Sequence, residues 1–161
     1  MSVKFFREVF RAEHREIRDE LFDLLKAFES LDQARARSVL NRVTALVGPH
    51  FRYEEEALYP ALEGLFGRDY IEKLLCNHDR AIDIARGLKE TVSMARLDEE
   101  TARQARKQVR LILAHMSNCH GAAIMMEAVT SQAVQSVLEK REKARNEAFD
   151  LLRWADHVRH Q

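Results

Sequence analysis

The chain is poor in residues that cross-link a fold or interrupt regular structure. Its 161 residues include only two cysteines, two prolines and five glycines. With 46% hydrophobic and 32% charged residues, the composition is typical of a compact all-α protein and argues against a largely disordered chain. Cys76 and Cys119 lie far apart within helical patterns, so we predict no disulfide framework and two small buried thiols. A reducing cytoplasm is therefore the expected location.

The sequence also lacks an excess of charge of either sign. Lysine plus arginine and aspartate plus glutamate number 26 each, so we predict neither nucleic acid nor anionic lipid as a partner. No apolar run is long enough to span a bilayer, and charges interrupt the apolar residues near the N-terminus that a signal peptide would need. We therefore expect no membrane partner. The length suits one domain with its own core.

Apolar residues at spacings of three and four predict five helices. Ser30 or Asp32 suits the N-cap of the second helix, Pro49 is expected to kink it without ending it, and Gly67 suits its C-cap. The predicted helices cover about residues 3–29, 32–66, 68–95, 98–129 and 131–160.

Short turns between the helices predict an all-α fold, an antiparallel up-down-up-down four-helix bundle over residues 1–130. Residues 131–161 are predicted to form an additional C-terminal helix. Because Arg141 and Arg145 interrupt its apolar stripe, we predict that it packs on the bundle end or on a second subunit and stays outside the core. A homodimer would then form through this helix.

Two polar residues, His50 and Glu54, occupy apolar positions of the second helix, one turn apart. The stripe consists of Val43, Val47, His50, Glu54, Ala57, Ala61 and Leu65. A buried carboxylate without a partner costs several kcal/mol, so the pattern predicts a cation beside Glu54.

Three further histidines belong to the apolar sides of other helices: His14 and His78 replace aliphatic residues, and His115 flanks the stripe of the fourth helix. Glu13 and Glu16, next to His14 in sequence, are candidate outer partners for it. A lone histidine in such a stripe is usually a hydrogen-bonded core residue. The question is therefore whether the histidines meet.

Helical geometry predicts that they do. His14 lies 17 residues before the first connecting turn and His50 lies 19 after it, a height difference of about 3 Å. Glu54 and His78 lie 13 and 11 residues from the next turn, and His78 and His115 lie 19 and 18 from the third. We predict a metal centre in this layer. The alternative is a polar layer in which Glu54 pairs with imidazolium, a costly arrangement without a metal.

His120 is a further candidate ligand. Residues five apart lie about 140° apart on an α-helix, but closer where a π-bulge occurs, and Gly121 makes a local distortion easier. We therefore predict a bulge between His115 and His120.

These residues resemble the hemerythrin-like, or HHE cation-binding, family over about residues 10–128. The specific part is His50-x-x-x-Glu54-Glu55 followed by Leu58-Tyr59-Pro60, with single histidines before and after it. The resemblance implies an antiparallel four-helix bundle that holds a non-haem di-iron site with a bridging glutamate. The implied ligands are His14 and His50 for one iron, His78 and His115 for the other, and Glu54 between them.

The chain departs from the family pattern at three positions. Leu74 stands where oxygen-carrying hemerythrins have a second histidine before His78, and His120 stands where they have a bridging aspartate. Cys119 replaces a glutamate of other members. With Glu54 as the single carboxylate, an exogenous anion must offset the remaining charge of two ferrous ions, or the site holds one metal or zinc. Tyr53, Glu55 and Glu56 are supplementary candidates, expected outside the first shell.

Three functions remain open. The first is a cytoplasmic iron protein, with two irons per chain favoured, that binds or senses oxygen, nitric oxide or peroxide. The second is a non-catalytic zinc or mononuclear metal-binding bundle with a sensing or structural role. The third is an enzyme that decomposes peroxide, which needs an oxidisable metal with an open coordination position.

Overall fold

All regular secondary structure in the described residues is helical. A computed structural model describes residues 3–159, with the side chains of residues 117–125 excepted. A π-helical turn, Glu54–Leu58, joins the second helix to the third, and a 3₁₀ turn, Met125–Ala128, follows the fifth. The α-helices are α1 (Val3–Glu29), α2 (Gln33–Tyr53), α3 (Tyr59–Phe66), α4 (Arg68–Ser93), α5 (Glu99–Ile124), α6 (Ser131–Glu147) and α7 (Leu151–Arg159).

Four helical segments form the bundle. α1 packs against α2 and α5, and α4 packs against the same two helices, so that the contacts close a ring around one interior. The π-turn and α3 continue α2. α3 packs on α4, and the π-turn packs on α6. Because short turns join consecutive helices, neighbours run antiparallel. The predicted antiparallel four-helix bundle is confirmed.

The predicted start and end of the segment that comprises α2, the π-turn and α3 are both confirmed. The carboxylate of Asp32 accepts a hydrogen bond from the backbone N–H of Arg35 at 2.9 Å, which makes Asp32 the N-cap. Gly67 ends α3 with φ of 79°, a left-handed conformation that favours glycine. α2 continues through Pro49 to Tyr53, so the proline does not end the helix.

Replacing Asp32 by alanine is expected to lower the free energy of unfolding by about 1 kcal/mol, because the N–H of Arg35 loses its acceptor. Urea unfolding followed by circular dichroism measures the change. Asp19→Ala is the control, since Asp19 is exposed and bonds its neighbour Arg18; a change within about 0.5 kcal/mol is expected there. Equal effects of the two substitutions would contradict the capping role.

The additional C-terminal helical segment is present, but it is divided into two helices. Ala148 has φ of 50°, and this left-handed residue ends α6 and lets the chain turn into α7. α6 packs on α1, α2 and the π-turn, whereas α7 packs on α2 and α4. Both helices bury apolar residues in the core, namely Val134, Val137, Leu138, Leu151, Trp154 and Ala155.

The segment thus packs on the bundle, one of the two predicted positions, but its buried residues join the hydrophobic core, whereas we expected them to stay outside it. Two short helices with separate apolar faces cover the two grooves beside α2, which one straight helix could not do. Dimerisation through this segment stays a prediction.

Two other observations concern the surface. Cys76 is an exposed free thiol, so the prediction that it is buried is wrong; its position on α4 lies off the apolar stripe. The side chain of Cys119 lies outside the described residues. Within residues 3–159, none of the helices combines the length and the apolar composition that crossing a bilayer requires.

The buried apolar residues form two clusters with a polar layer between them. Phe10 belongs to one cluster and Ile17 to the other, and His14 lies between them on α1. Likewise, Leu74 belongs to the first cluster and lies one turn before His78 on α4. The polar layer is the level at which the sequence predicted that the histidines meet.

Candidate metal centre

One end of the polar layer is a group of three buried ligand-type residues. One nitrogen each of His14 and His50 and one oxygen of Glu54 all lie within 4.8 Å of one another. α1 supplies the first histidine, α2 supplies the second, and the π-turn supplies the glutamate. The rings of His14 and His50 meet edge to face, with centroids 4.6 Å apart. The predicted meeting of these three residues is thus seen in the structure.

The outer nitrogens of both rings are held by acceptors. Nδ1–H of His14 donates to the backbone carbonyl of Phe10 at 2.9 Å, which leaves the lone pair of the neutral ring on Nε2. Nδ1–H of His50 donates to Oε2 of Glu13 at 3.0 Å. The hydroxyl of Tyr53 donates to the same oxygen at 2.8 Å. A carboxylate or carbonyl behind a histidine is the usual outer support of a metal ligand.

Glu54 connects this group to a second one. It is fully buried; its Oε1 lies 3.3 Å from Nε2 of His50, and its Oε2 lies 3.1 Å from Nε2 of His78. Nδ1–H of His78 donates to Oε1 of Glu55 at 2.8 Å, so Glu55 supports this ring as Glu13 supports His50. The two oxygens of one carboxylate therefore face two different histidines.

His115 and two aromatic rings complete the second group. The rings of His78 and His115 meet edge to face with centroids 5.2 Å apart. Phe51 stacks flat on His78 at 3.6 Å, and the hydroxyl of Tyr59 lies 2.8 Å from Nε2 of His78. These contacts keep water away from the inner nitrogen.

The residues present fit a cation better than they fit one another. Nε2 of His50 and Oε1 of Glu54 are buried and face each other, yet neither has a hydrogen-bond partner within the described part of the chain. Buried polar atoms are normally satisfied, because a lost hydrogen bond costs about 1–3 kcal/mol. A metal ion between the imidazoles and the carboxylate would satisfy both atoms.

The charged groups of the polar layer shift one another's pKa values. Burial alone would raise the pKa of Glu54, but the charge of His50 and the neighbouring His78 hold that pKa well below its usual range. Burial alone would lower the pKa of His50, but Glu54 and Glu13 raise it to about 9. In contrast, burial and the charge of His78 lower the pKa of His115 to about 4. His115 is therefore neutral at pH 7, as a metal ligand must be.

Metal binding is expected to weaken as the pH falls. Because the pKa of His50 is about 9, this ring carries a proton near neutral pH that must leave before a metal can bind. The apparent affinity for Zn²⁺ should therefore fall about ten-fold per pH unit below that pKa from His50 alone. Competition titration against a chromophoric chelator between about pH 6 and about pH 8 measures it. An affinity that does not change with pH would contradict the coupling.

No described contact connects His120 to the polar layer. α5 continues as regular α-helix from Glu99 to Ile124, so the bulge predicted between His115 and His120 is wrong. The π-turn occurs instead at Glu54–Leu58, where Glu54 is buried and the half-buried Glu55 reaches Nδ1 of His78. The side chain of His120 lies outside the described residues, and its role as a ligand stays a prediction.

Comparison with known families decides the classification. The family model described as "Hemerythrin HHE cation binding domain" matches residues 6–119, more than half of the chain. The chain belongs to the hemerythrin HHE cation-binding family. Comparisons with curated proteins and with solved structures give no match.

The HHE domain of this chain differs from the sequence-based expectation in its outer partners. Glu13 was expected beside His14 but bonds His50, and Glu16 is exposed. The sequence contained a signal for this, because Glu13 lies three residues after Phe10 and four before Ile17, on the buried stripe. Tyr53 and Glu55 contact the Nδ1 atoms of His50 and His78, and their place outside the metal's first shell stays a prediction. Glu56 pairs with Arg52 instead.

Proposed function

We propose that this HHE domain holds a dinuclear iron centre in the polar layer and uses it to bind or sense oxygen, nitric oxide or peroxide. The observation that carries the proposal is the position of Glu54. Its two oxygens lie 3.3 Å and 3.1 Å from the inner nitrogens of His50 and His78. A carboxylate between two histidine groups would suit two cations, one beside each group.

The histidines divide into two groups on either side of this carboxylate. His14 and His50 would serve one iron, and His78 and His115 would serve the other, with His120 as a further ligand. Iron, when bound, supplies a redox-active ion with coordination positions open to a small ligand. The protein holds the rings of His14, His50 and His78 through their Nδ1 atoms. Phe10 packs on the ring of His14, and Phe51 packs on the ring of His78.

A second candidate is a non-catalytic domain with a single zinc ion. The compact group of His14, His50 and Glu54 favours it, since two histidines and one carboxylate form a common zinc ligand set. One protein carboxylate also suits one divalent ion better than two. In this case, His78 would support Glu54 from outside the metal's coordination sphere.

Metal quantification after anaerobic purification tests both candidates. About two irons per chain, with an absorption change on admitting nitric oxide or air, is the result expected of the dinuclear centre. About one zinc per chain with no such change would favour the second candidate. His50→Ala should lose the metal, and His157→Ala, at an exposed histidine, should keep it. A metal-free protein that is as stable as the metal-loaded one would overturn both.

A further inference from the structure

The carboxylates behind His50 and His78 are themselves held by arginines of the C-terminal helices. On α6, Nε and Nη2 of Arg141 lie 2.7 Å and 2.6 Å from Oε1 of Glu13. Nη1 of Arg145 lies 3.1 Å from the same oxygen. The other oxygen of Glu13 accepts from His50 at 3.0 Å. An unbroken chain of contacts thus runs from α6 to the ring of His50.

A second chain of contacts comes from α7. Nη2 of Arg159 donates to Oε1 of Glu55 at 2.9 Å, and the same oxygen accepts from Nδ1 of His78 at 2.8 Å. Nε of Arg159 also donates to Asp79 at 2.6 Å, next to His78 on α4. Two helices outside the bundle therefore reach two different histidines in the same way, through one glutamate each.

The geometry of these contacts suits orientation of the rings. The side chains of Glu13 and Glu55 are only 11% and 12% exposed, so water contributes little to holding them. Guanidinium groups are flat and donate in a fixed fork, which restrains a carboxylate more tightly than a single donor does. A restrained carboxylate fixes Nδ1–H and turns Nε2 toward Glu54.

We infer that α6 and α7 are parts of the metal centre, in which Arg141 and Arg159 are positioning residues that act through Glu13 and Glu55 on His50 and His78. The inference rests on the proposed metal-binding function and extends it. Outer partners of this kind commonly change metal affinity by about 10–100-fold. The segment beyond the bundle would then set how tightly the site holds its ion.

The same two helices offer matched controls. Lys140 of α6 lies 3.5 Å from Glu56, and Arg86 of α4 donates to Asp156 of α7 at 2.7 Å. Each of these ion pairs connects a C-terminal helix to the bundle without contacting Glu13 or Glu55. Replacing Lys140 or Arg86 therefore tests the attachment of the helix alone.

The experiment uses the full chain and Co²⁺ alone as the probe. Arg141→Met and Arg159→Met keep the apolar stem and remove the donors. Each is expected to weaken Co²⁺ binding about ten-fold in chelator competition and to change the visible spectrum of bound Co²⁺, because the ring orientation changes. Lys140→Met and Arg86→Met should stay within about two-fold of the wild type with an unchanged spectrum.

Lysine variants separate orientation from folding. Arg141→Lys and Arg159→Lys keep the charge but replace the fork by a single donor, so an affinity between those of the wild type and the methionine variant is expected. They also serve if a methionine variant does not fold. Melting temperatures of the metal-free variants show whether a loss of affinity follows helix detachment.

Two results would overturn the inference while leaving the proposed function intact. One is a wild type that binds Co²⁺ with arginine variants that match the two controls in affinity and spectrum. The other is a loss of affinity in all four methionine variants that follows their melting temperatures. A wild type that binds no metal would instead overturn the proposed function and the inference with it.

Discussion

Replacing Glu54 by glutamine is expected to lower metal affinity by about 100-fold or more. Glutamine keeps the shape but loses the negative charge of the carboxylate whose two oxygens face His50 and His78. This loss exceeds the effect of an outer partner, because the charge next to the ion itself is removed. Metal content after dialysis and chelator competition give the magnitude. In the metal-free variant, the pKa of His50 should also fall, since Glu54 raises it.

The control for this substitution is Glu63→Gln. Glu63 is exposed on α3 and lies outside the polar layer, so its replacement should leave metal affinity within about two-fold of the wild type. Circular dichroism confirms that both variants stay helical. A Glu54→Gln variant that keeps its full metal content would show that the carboxylate does not hold the ion.

Replacing Gly48 by alanine is expected to lower the free energy of unfolding by about 3 kcal/mol or more. A Cβ at this position would overlap the backbone oxygen of Phe149 and lie 2.5 Å from the carbonyl carbon of Asp150 and 2.6 Å from the nitrogen of Leu151. These are backbone atoms, so they cannot rotate away as the end of a side chain could. Urea unfolding measures the loss.

Gly64→Ala is the matched control. Gly64 also lies within a helix, but nothing lies within 4 Å of a Cβ there. Alanine should therefore stabilise the protein by about 0.5–1 kcal/mol through its higher helix propensity. Opposite signs at the two glycines are the expected result. If Gly48→Ala proved neutral, the close packing of the segment before α7 on α2 would be refuted.

The tight contact at Gly48 also bears on the metal centre. Gly48 lies two residues before His50, and the backbone that packs on it leads directly into α7. The small residue lets this helix lie close to α2, which places Arg159 beside Glu55. Stability and metal binding thus depend on the same approach of the C-terminal segment.

Much of the bundle and its polar layer was predictable from local patterns. A period of 3.6 residues identified the bundle helices, and the rise of about 1.5 Å per residue placed His14, His50 and His78 at one level. A carboxylate at an apolar position, Glu54, indicated a cation because burial without one is costly. These inferences need only the geometry of a helix and its distance from a turn.

Other features depended on contacts between residues far apart in the chain. No local pattern indicates that Arg141 and Arg159 meet Glu13 and Glu55, since their partners lie 128 and 104 residues away. Because Arg141 and Arg145 interrupt the apolar stripe of the C-terminal segment, the sequence suggested a helix outside the core. In the structure, both arginines contact the buried carboxylate of Glu13. The position of the π-turn was also missed, because its energy depends on how Glu54 and its neighbours pack against other helices. The helices and the level of the polar layer thus follow from the geometry of a single helix and its turns. The glutamate and arginine contacts that hold the histidines follow from packing between distant segments, which no short stretch of sequence contains.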